Sequence, residues 1–393
     1  MTYRILTLDG GGSWALIEVK ALIRMFGAEM RGNQVLQQFD LVAANSGGSI
    51  VLGGLIENVT LQQLLDYFMD QANRCAIFSP TNSVVDHTLE GLLGIGPKYS
   101  AAAKLPALEM LMPQTGNKIL RGINDGLAGH NGDPLRIMIV GFDYDRNRGT
   151  YFRSTPVAMP CLGVTNAADI TLAEAIHAST NAPVNYFDGA AVFPERTVRY
   201  WDGGITGNNN PVLAAVTEAR VIGKSAQEIS ALSLGTGTVQ LLQGTQGQAD
   251  SPYYAPWRSS GLAADINKMA SSILDDPPDA ASFLAHVMTL GGALPAPAVS
   301  RIVRMNPVVA PAEIDGQLRP PGSMTVAQFQ YLCNLGMDAL TQTEVNAISA
   351  YAELWLSGQA PNQLIHTDGG TPLPMTIGYG SFSAALAAWE AIK

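Results

Sequence analysis

Apolar and polar residues follow two rhythms over roughly the first 240 positions. Short continuous apolar runs, suited to buried strands, fall at residues 3–8, 39–44, 135–142, 198–201 and 229–234. Apolar positions recur at helical spacing over residues 15–30, 49–57, 61–73, 105–112, 172–180 and 211–222. Strands alternating with helices predict a layered α/β domain. Residues 79–98, rich in Gly, Pro and Ser, read as a loop or lid beside a site. Beyond about residue 240 the pattern changes: Gly, Gln, Ser and Pro dominate 241–260, and Asp275-Asp276-Pro277-Pro278 reads as a break. Helical spacing returns at 326–335 and 343–356, an elaboration expected to pack on the core.

Composition narrows the function classes. Hydrophobic residues make up 47 % of the 393, enough for a large core, and only 14 % are charged. A net charge of −10 argues against sequence-independent binding of a nucleic-acid polymer, and against docking on anionic lipid through a basic face. Contact with a membrane is therefore expected to be apolar and local. Cys75, Cys161 and Cys333 show neither zinc spacing nor a disulfide framework, which suits reduced thiols. The apolar run at 283–299 is broken by His286, Pro295, Pro297 and a Gly-Gly pair, so no segment reads as membrane-spanning. With a strand at the very start and no signal peptide read, the expected location is the cytoplasm.

Four segments carry candidate chemistry. Asp9-Gly10-Gly11-Gly12-Ser13 joins a strand to a helix. Consecutive glycines there let backbone N–H groups converge on a negative oxygen or a phosphate. Ser46 stands between the apolar run 39–44 and Gly47-Gly48, a strand-to-helix turn that can expose a nucleophilic hydroxyl. Asp202 leaves a short strand at Gly203-Gly204, ahead of Asn208-Asn209-Asn210-Pro211. A carboxylate fixed there and partly desolvated becomes a better base toward a serine hydroxyl. A second Asp-Gly-Gly at 368–370 has no preceding strand and is set aside as a decoy. The fourth segment, Ala178-Ser179-Thr180-Asn181-Ala182-Pro183, ends a helix at a proline, with Tyr186 and Phe187 beyond it to line a pocket.

These segments together resemble the patatin-like phospholipase family. Arg4 to Gly12 is similar to its N-terminal strand and oxyanion loop, and Ala44-Asn45-Ser46-Gly47-Gly48 to its Gly-x-Ser-x-Gly elbow. Ala178 to Pro183 resembles its Ala-Ser-x-x-Ala-Pro segment. Trp201-Asp202-Gly203-Gly204 with Asn209-Asn210-Pro211 looks like its Asp-Gly-Gly-x-x-x-Asn-x-Pro block, and Ser233 to Gly237 like the strand and loop that follow. The motifs occur in the family's order over residues 4–238.

The resemblance implies a three-layer α/β/α catalytic core over 4–238 with a mostly parallel central sheet, and a C-terminal extension over 239–393. It implies a lipid acyl hydrolase of phospholipase A or lysophospholipase type working through a Ser-Asp dyad without metal or cofactor. Ser46 would be acylated, Asp202 would be the general base, and the amides of Gly10, Gly11 and Gly12 would hold the oxyanion. Membrane phospholipids would be the substrate, met in transient interfacial contact. Some bacterial relatives are toxins or antiphage effectors, which extends the expectation to a regulated membrane-degrading effector with a small-molecule activator. The chain departs from the family pattern at Trp14 and Ala15, where a basic residue and a glycine are usual, and at Ala44, the elbow's first glycine. Three other readings stay open. One is a Ser-Asp-His triad using His286 or His366, which follow Asp202 as an α/β-hydrolase order requires. A second is an actin-like nucleotide-binding protein using Asp9-Gly10-Gly11 and Gly235-Thr236-Gly237. The third is an inactive lipid-binding scaffold.

Overall fold

Strand β1 (Tyr3–Leu8) lies at the centre of the fold, in a computed structural model that describes residues 1–81, 97–155, 170–184, 186–193, 198–248, 251–256, 277–290, 300–365 and 377–393. Most of the 79–98 stretch, together with His87, Cys161, His366 and Asp368-Gly369-Gly370, lies outside the described residues. Seven strands form the main sheet. They are β1, β2 (Leu41–Ala44), β3 (Arg136–Asp143), β4 (Arg148–Arg153), β5 (Tyr200–Asp202), β6 (Ile229–Leu234) and, after the two-residue β7 (Thr238–Val239), β8 (Ile302–Met305). Their order is β4-β3-β2-β1-β6-β8, with β5 also paired to β3. The pairs β1–β2, β2–β3, β1–β6 and β6–β8 are parallel; β4 and β5 run antiparallel to β3.

Alternation along these strands feeds two cores. Leu6, Leu8, Val42, Ala44, Leu232 and Leu234 face one layer of helices, which includes Leu16–Phe26, Ser46–Ile56 and Gln342–Leu356. Ile5, Leu41, Ala43, Ile229, Ala231 and Ile302 face the other, formed by Val212–Val221 and Pro277–Leu290. The result is an α/β/α sandwich around a mostly parallel sheet, as expected. Its later segments are woven into this sheet: β8 extends it beyond β6, and Trp389, from helix Phe382–Ile392, stacks on Phe39 with centroids 5.9 Å apart.

Leu8, Ala44 and Leu234 pair across adjacent strands, so β1, β2 and β6 end side by side. The chain fills the sheet to one side of β1 with β2 and β3 and returns on the other with β6 and β8. Parallel sheets of this kind bind ligands beyond the carboxyl ends of their strands, beside such a reversal. The loops that leave those three strands carry Asp9 to Gly12, Ser46, and Gly235 to Gly237. No helix among the described residues is long and apolar enough to cross a membrane.

Candidate active site

From β2 the chain passes through Asn45 in an extended conformation and turns into a helix at Ser46. Ser46 has φ of 44°, a left-handed conformation that costs a non-glycine residue on the order of 1–3 kcal/mol. Such strain is how a nucleophile elbow presents its hydroxyl. Close packing makes the turn possible: a Cβ on Gly48 would lie 2.6 Å from the Leu8 carbonyl oxygen, so only glycine lets the helix start against β1. The Gly48 amide donates to the Asp9 carbonyl at 2.9 Å, and the Ser46 amide to Ser179 Oγ at 2.9 Å.

Asp202 ends β5, and the Ser46 side chain lies close enough to its carboxylate to favour the ionised form. Its Oδ1 also accepts from the Gly204 amide at 2.8 Å and from Asn45 Nδ2 at 3.2 Å. Its own amide donates to the Asn181 carbonyl at 3.0 Å. Both Ser46 and Asp202 are buried. Burial pushes the Asp202 carboxyl above its ordinary range. The nearby Ser46 side chain and the hydrogen bonds from Gly204 and Asn45 oppose that rise, and so does the charge of Lys104. A hydroxyl touching a desolvated carboxylate is the arrangement a two-residue proton transfer needs.

The glycine loop beside them narrows one expectation. The Gly10 amide is spent on the Asn209 carbonyl at 2.9 Å, so it is not an oxyanion donor in this arrangement. Among the described residues, the amides of Gly11, Gly12 and Gly47 have no hydrogen-bond partner. Gly12 and Gly47 line the same cavity as Ser46. Gly47 at the elbow is thus a candidate donor that reasoning from the first loop alone missed. Trp14 and Ala15 fold into a single turn, and Trp14 Nε1 donates to the Gly336 carbonyl at 3.0 Å.

That cavity is nearly closed. Its volume is about 10 Å³, room for about one water, with Ile50, Phe78, Phe187 and Met337 in its walls. The Met337 carbonyl accepts from the Ser13 amide at 2.8 Å, and a Cβ on Gly12 would lie 2.3 Å from that oxygen. Ile50 separates this space from a second, apolar cavity of about 110 Å³ between the elbow helix and helices Leu61–Met69 and Ala101–Leu111. Its lining includes Leu64, Tyr67, Leu108, Leu111 and Met112.

The alternative chemistries find less support. His130 is exposed; His177 is buried against Phe193; His286 sits in the opposite helical layer with Nδ1 on Ser300 Oγ. None of these three hydrogen-bonds to Ser46 or Asp202. Burial holds His177 well below its ordinary pKa, so it stays a neutral core residue. The two loops of the nucleotide reading pack on each other: Thr236 Oγ1 donates to the Gly10 carbonyl at 2.7 Å, and a Cβ on Gly11 would lie 2.2 Å from that hydroxyl. Among the described residues, no group of three or more His, Cys, Asp or Glu is placed to hold a metal ion.

Four further residues shape the site. Asn45 and Ser179 sit inside the recognised motifs, so their signal was present though their role was not assigned. Lys104 and Met337 come from segments with no motif, and only tertiary structure brings them in.

The profile described as patatin-like phospholipase matches residues 6–216, more than half of the chain. No curated protein matches it. Among solved structures it is similar to VipD from Legionella pneumophila, at 10 % identity and TM-score 0.35, over 89 % of this chain and 67 % of that one. It is also similar to the type III effector protein ExoU, at 14 % identity and TM-score 0.25, over 74 % of this chain and 54 % of that one. The chain thus spans about two thirds of the first and about half of the second. Neither likeness bears on the chemistry.

Proposed function

The chain belongs to the patatin-like phospholipase family, whose members are lipid acyl hydrolases, and we propose that it cleaves fatty-acyl esters of phospholipids with Ser46 as nucleophile and Asp202 as general base. One observation carries this reading: the strained Ser46 hydroxyl lies close enough to the buried carboxylate of Asp202 to favour its ionised form. In the first step Ser46 Oγ attacks the ester carbonyl carbon while its proton passes to Asp202. The carbonyl oxygen becomes an oxyanion held by the free amides of Gly12 and Gly47, with Gly11 beside them. Collapse breaks the bond to the alcohol, which leaves with the proton from Asp202. A water that gives its proton to Asp202 then attacks the acyl-enzyme carbonyl; collapse breaks the bond to Ser46 Oγ, which takes that proton back from Asp202, and the fatty acid leaves. No step needs a histidine or a metal.

The 110 Å³ cavity behind Ile50 supports a fatty-acyl substrate, because its lining is mostly apolar and it shares Ile50 with the cavity that holds Ser46. Near-closure over Ser46 supports a resting state that must open, in keeping with a regulated, membrane-degrading effector working at the surface of phospholipid bilayers. The same reading covers an activator and an antiphage role. The test is hydrolysis of short acyl esters and of mixed phospholipid vesicles by the parent, Ser46→Ala and Asp202→Asn. Loss of turnover in both variants is expected; variants as fast as the parent would overturn the dyad.

A further inference from the structure

Lys104 is fully buried, in helix Ala101–Leu111. Lysine almost never occupies such a place without a paired charge. Among the described residues no carboxylate lies within ion-pair distance of it. Its Nζ instead donates to Asn181 Oδ1 at 2.9 Å and lies 3.7 Å from the centroid of the Phe187 ring. Both partners belong to the site. The Asn181 carbonyl accepts the amide of Asp202 at 3.0 Å, and Asn181 Nδ2 donates to the Gly189 carbonyl at 2.7 Å. Phe187 forms a wall of the cavity that holds Ser46. The ammonium therefore grips, through one neutral amide and one aromatic face, the segment that aligns the aspartate's backbone and the wall facing the nucleophile.

We propose that Lys104 is a positioning residue for the Ser46–Asp202 pair, a buried cation that through Asn181 and Phe187 holds the segment carrying the Asp202 amide and the wall facing Ser46, with its charge turned toward the pair. The inference rests on the hydrolase reading given above. A purely structural lysine would be costly at this spot, since an apolar chain of the same length would fill the space without desolvating a charge. Cation–π contact with Phe187 and the Asn181 oxygen recover part of that loss.

The groups that face this pair are few. Asp202 meets the hydroxyl of Ser46, the amide of Asn45, the Gly204 N–H and, at longer range, Lys104. Lys104 meets Asn181, Phe187, Asp202 and, from helix Leu172–Ser179, His177. Burial pulls the Lys104 ammonium well below the ordinary lysine range, and Asp202 works against that pull. Reciprocally, Lys104 opposes the upward push of burial on Asp202. His177 is held neutral by burial and by Lys104 itself, so it supplies no competing charge.

The sign of the effect follows. Removing the cation favours the protonated, inactive form of Asp202, so the acid limb of kcat/KM moves to higher pH. Lys104→Met keeps the length and apolar stem and should shift that limb upward by about one pH unit. Lys104→Arg, which keeps the charge, should leave the limb near that of the parent, and Lys104→Gln should move it as methionine does. Rates are to be normalised to the sites labelled by a fluorophosphonate, so that unfolded protein does not enter. An active parent whose acid limb coincides with that of Lys104→Met and Lys104→Gln overturns this inference and leaves the dyad standing. An arginine variant shifted as far as the methionine does the same. A parent with no Ser46-dependent turnover overturns the hydrolase reading, and this inference with it.

Discussion

Arg304, in the middle of β8, donates through Nη2 to Oδ2 of Asp9 at 2.6 Å. The two residues are 295 positions apart and both are buried. Arg304 also reaches Ser233 Oγ at 2.9 Å and Gln363 Oε1 at 3.2 Å, so the late strand fastens the loop that starts the glycine run. Replacing Arg304 with methionine would strand the Asp9 carboxylate. The expected loss is about 3–5 kcal/mol of stability, read by denaturant unfolding. A change under about 1 kcal/mol would mean that the pair does not hold the loop.

Asp9 and Glu18 make stability fall as pH rises. The Asp9 amide donates to Glu18 Oε1 at 2.6 Å, and both carboxyls are desolvated. Burial raises Asp9 from 3.8 to about 6 even against Arg304, and raises Glu18 well above its ordinary range. In the unfolded chain both titrate normally. Below the ordinary values both states are protonated and the stabilisation is complete; as pH climbs through the raised values, the folded state must release protons it prefers to keep. For Asp9 alone the cost between about pH 4 and 6 is on the order of 3 kcal/mol. Glu18→Gln keeps an acceptor for the Asp9 amide and removes one titration, so its Tm should fall less than the parent's between pH 5 and pH 8, values set by about the range of those shifts. Parallel Tm curves would refute the assignment.

The indole N–H of Trp14 holds the Gly336 carbonyl. The neighbouring Met337 seals the cavity over Ser46. Trp14→Phe deletes that hydrogen bond at a cost of about 1 kcal/mol and should loosen the seal. Turnover of a soluble short-chain ester should rise severalfold with little change in Tm. A rate equal to or below the parent's would show that the 336–337 segment does not limit access.

Ile50 forms a wall common to the two cavities. Ile50→Ala removes that wall and joins the spaces, so longer acyl chains should gain over short ones. The expected readout is the ratio of kcat/KM for a sixteen-carbon ester to that for a four-carbon ester, rising by about tenfold, the worth of one or two buried methylenes. An unchanged ratio would exclude the 110 Å³ cavity as the acyl path.

The central strands, and the two turns that carry Ser46 and Asp202, were legible because short-range pattern carries them. Runs such as Tyr3–Leu8 and Ile229–Leu234 are apolar on both faces, as a doubly covered parallel strand must be. Other elements were hidden by features with a tertiary purpose. β8 escaped notice because Arg304 interrupts it, and that arginine is tolerated through partners far away in sequence, Asp9 among them. Pro277-Pro278 read as a break but opens helix Pro277–Leu290, where proline lacks no needed N–H. The stretch 61–73 was expected as one helix; it divides at Asp70, whose carboxylate caps the next helix by accepting from the Ala72 amide at 2.7 Å. β4 reads poorly because Arg148 and Arg153 end it, yet it pairs with β3 from Met138 to Asp143. In the site, spacing revealed Ser46 and Asp202. The loss of the Gly10 amide to Asn209, and the arrival of Lys104 and Met337, depend on packing that no local pattern records.

The most direct measurement is the identity of the residue that becomes covalently modified. The parent, Ser46→Ala and Asp202→Asn are treated with a fluorophosphonate and digested, the modified peptide is located by mass spectrometry, and the labelling rate is followed against pH. A Ser46–Asp202 dyad predicts one adduct, on Ser46, absent from Ser46→Ala and slowed by on the order of a thousandfold in Asp202→Asn. The parent's rate should fall on the acid side at a pH above the ordinary aspartate range, because burial raises Asp202. An adduct on another residue, or an Asp202→Asn variant labelled as fast as the parent, would contradict it.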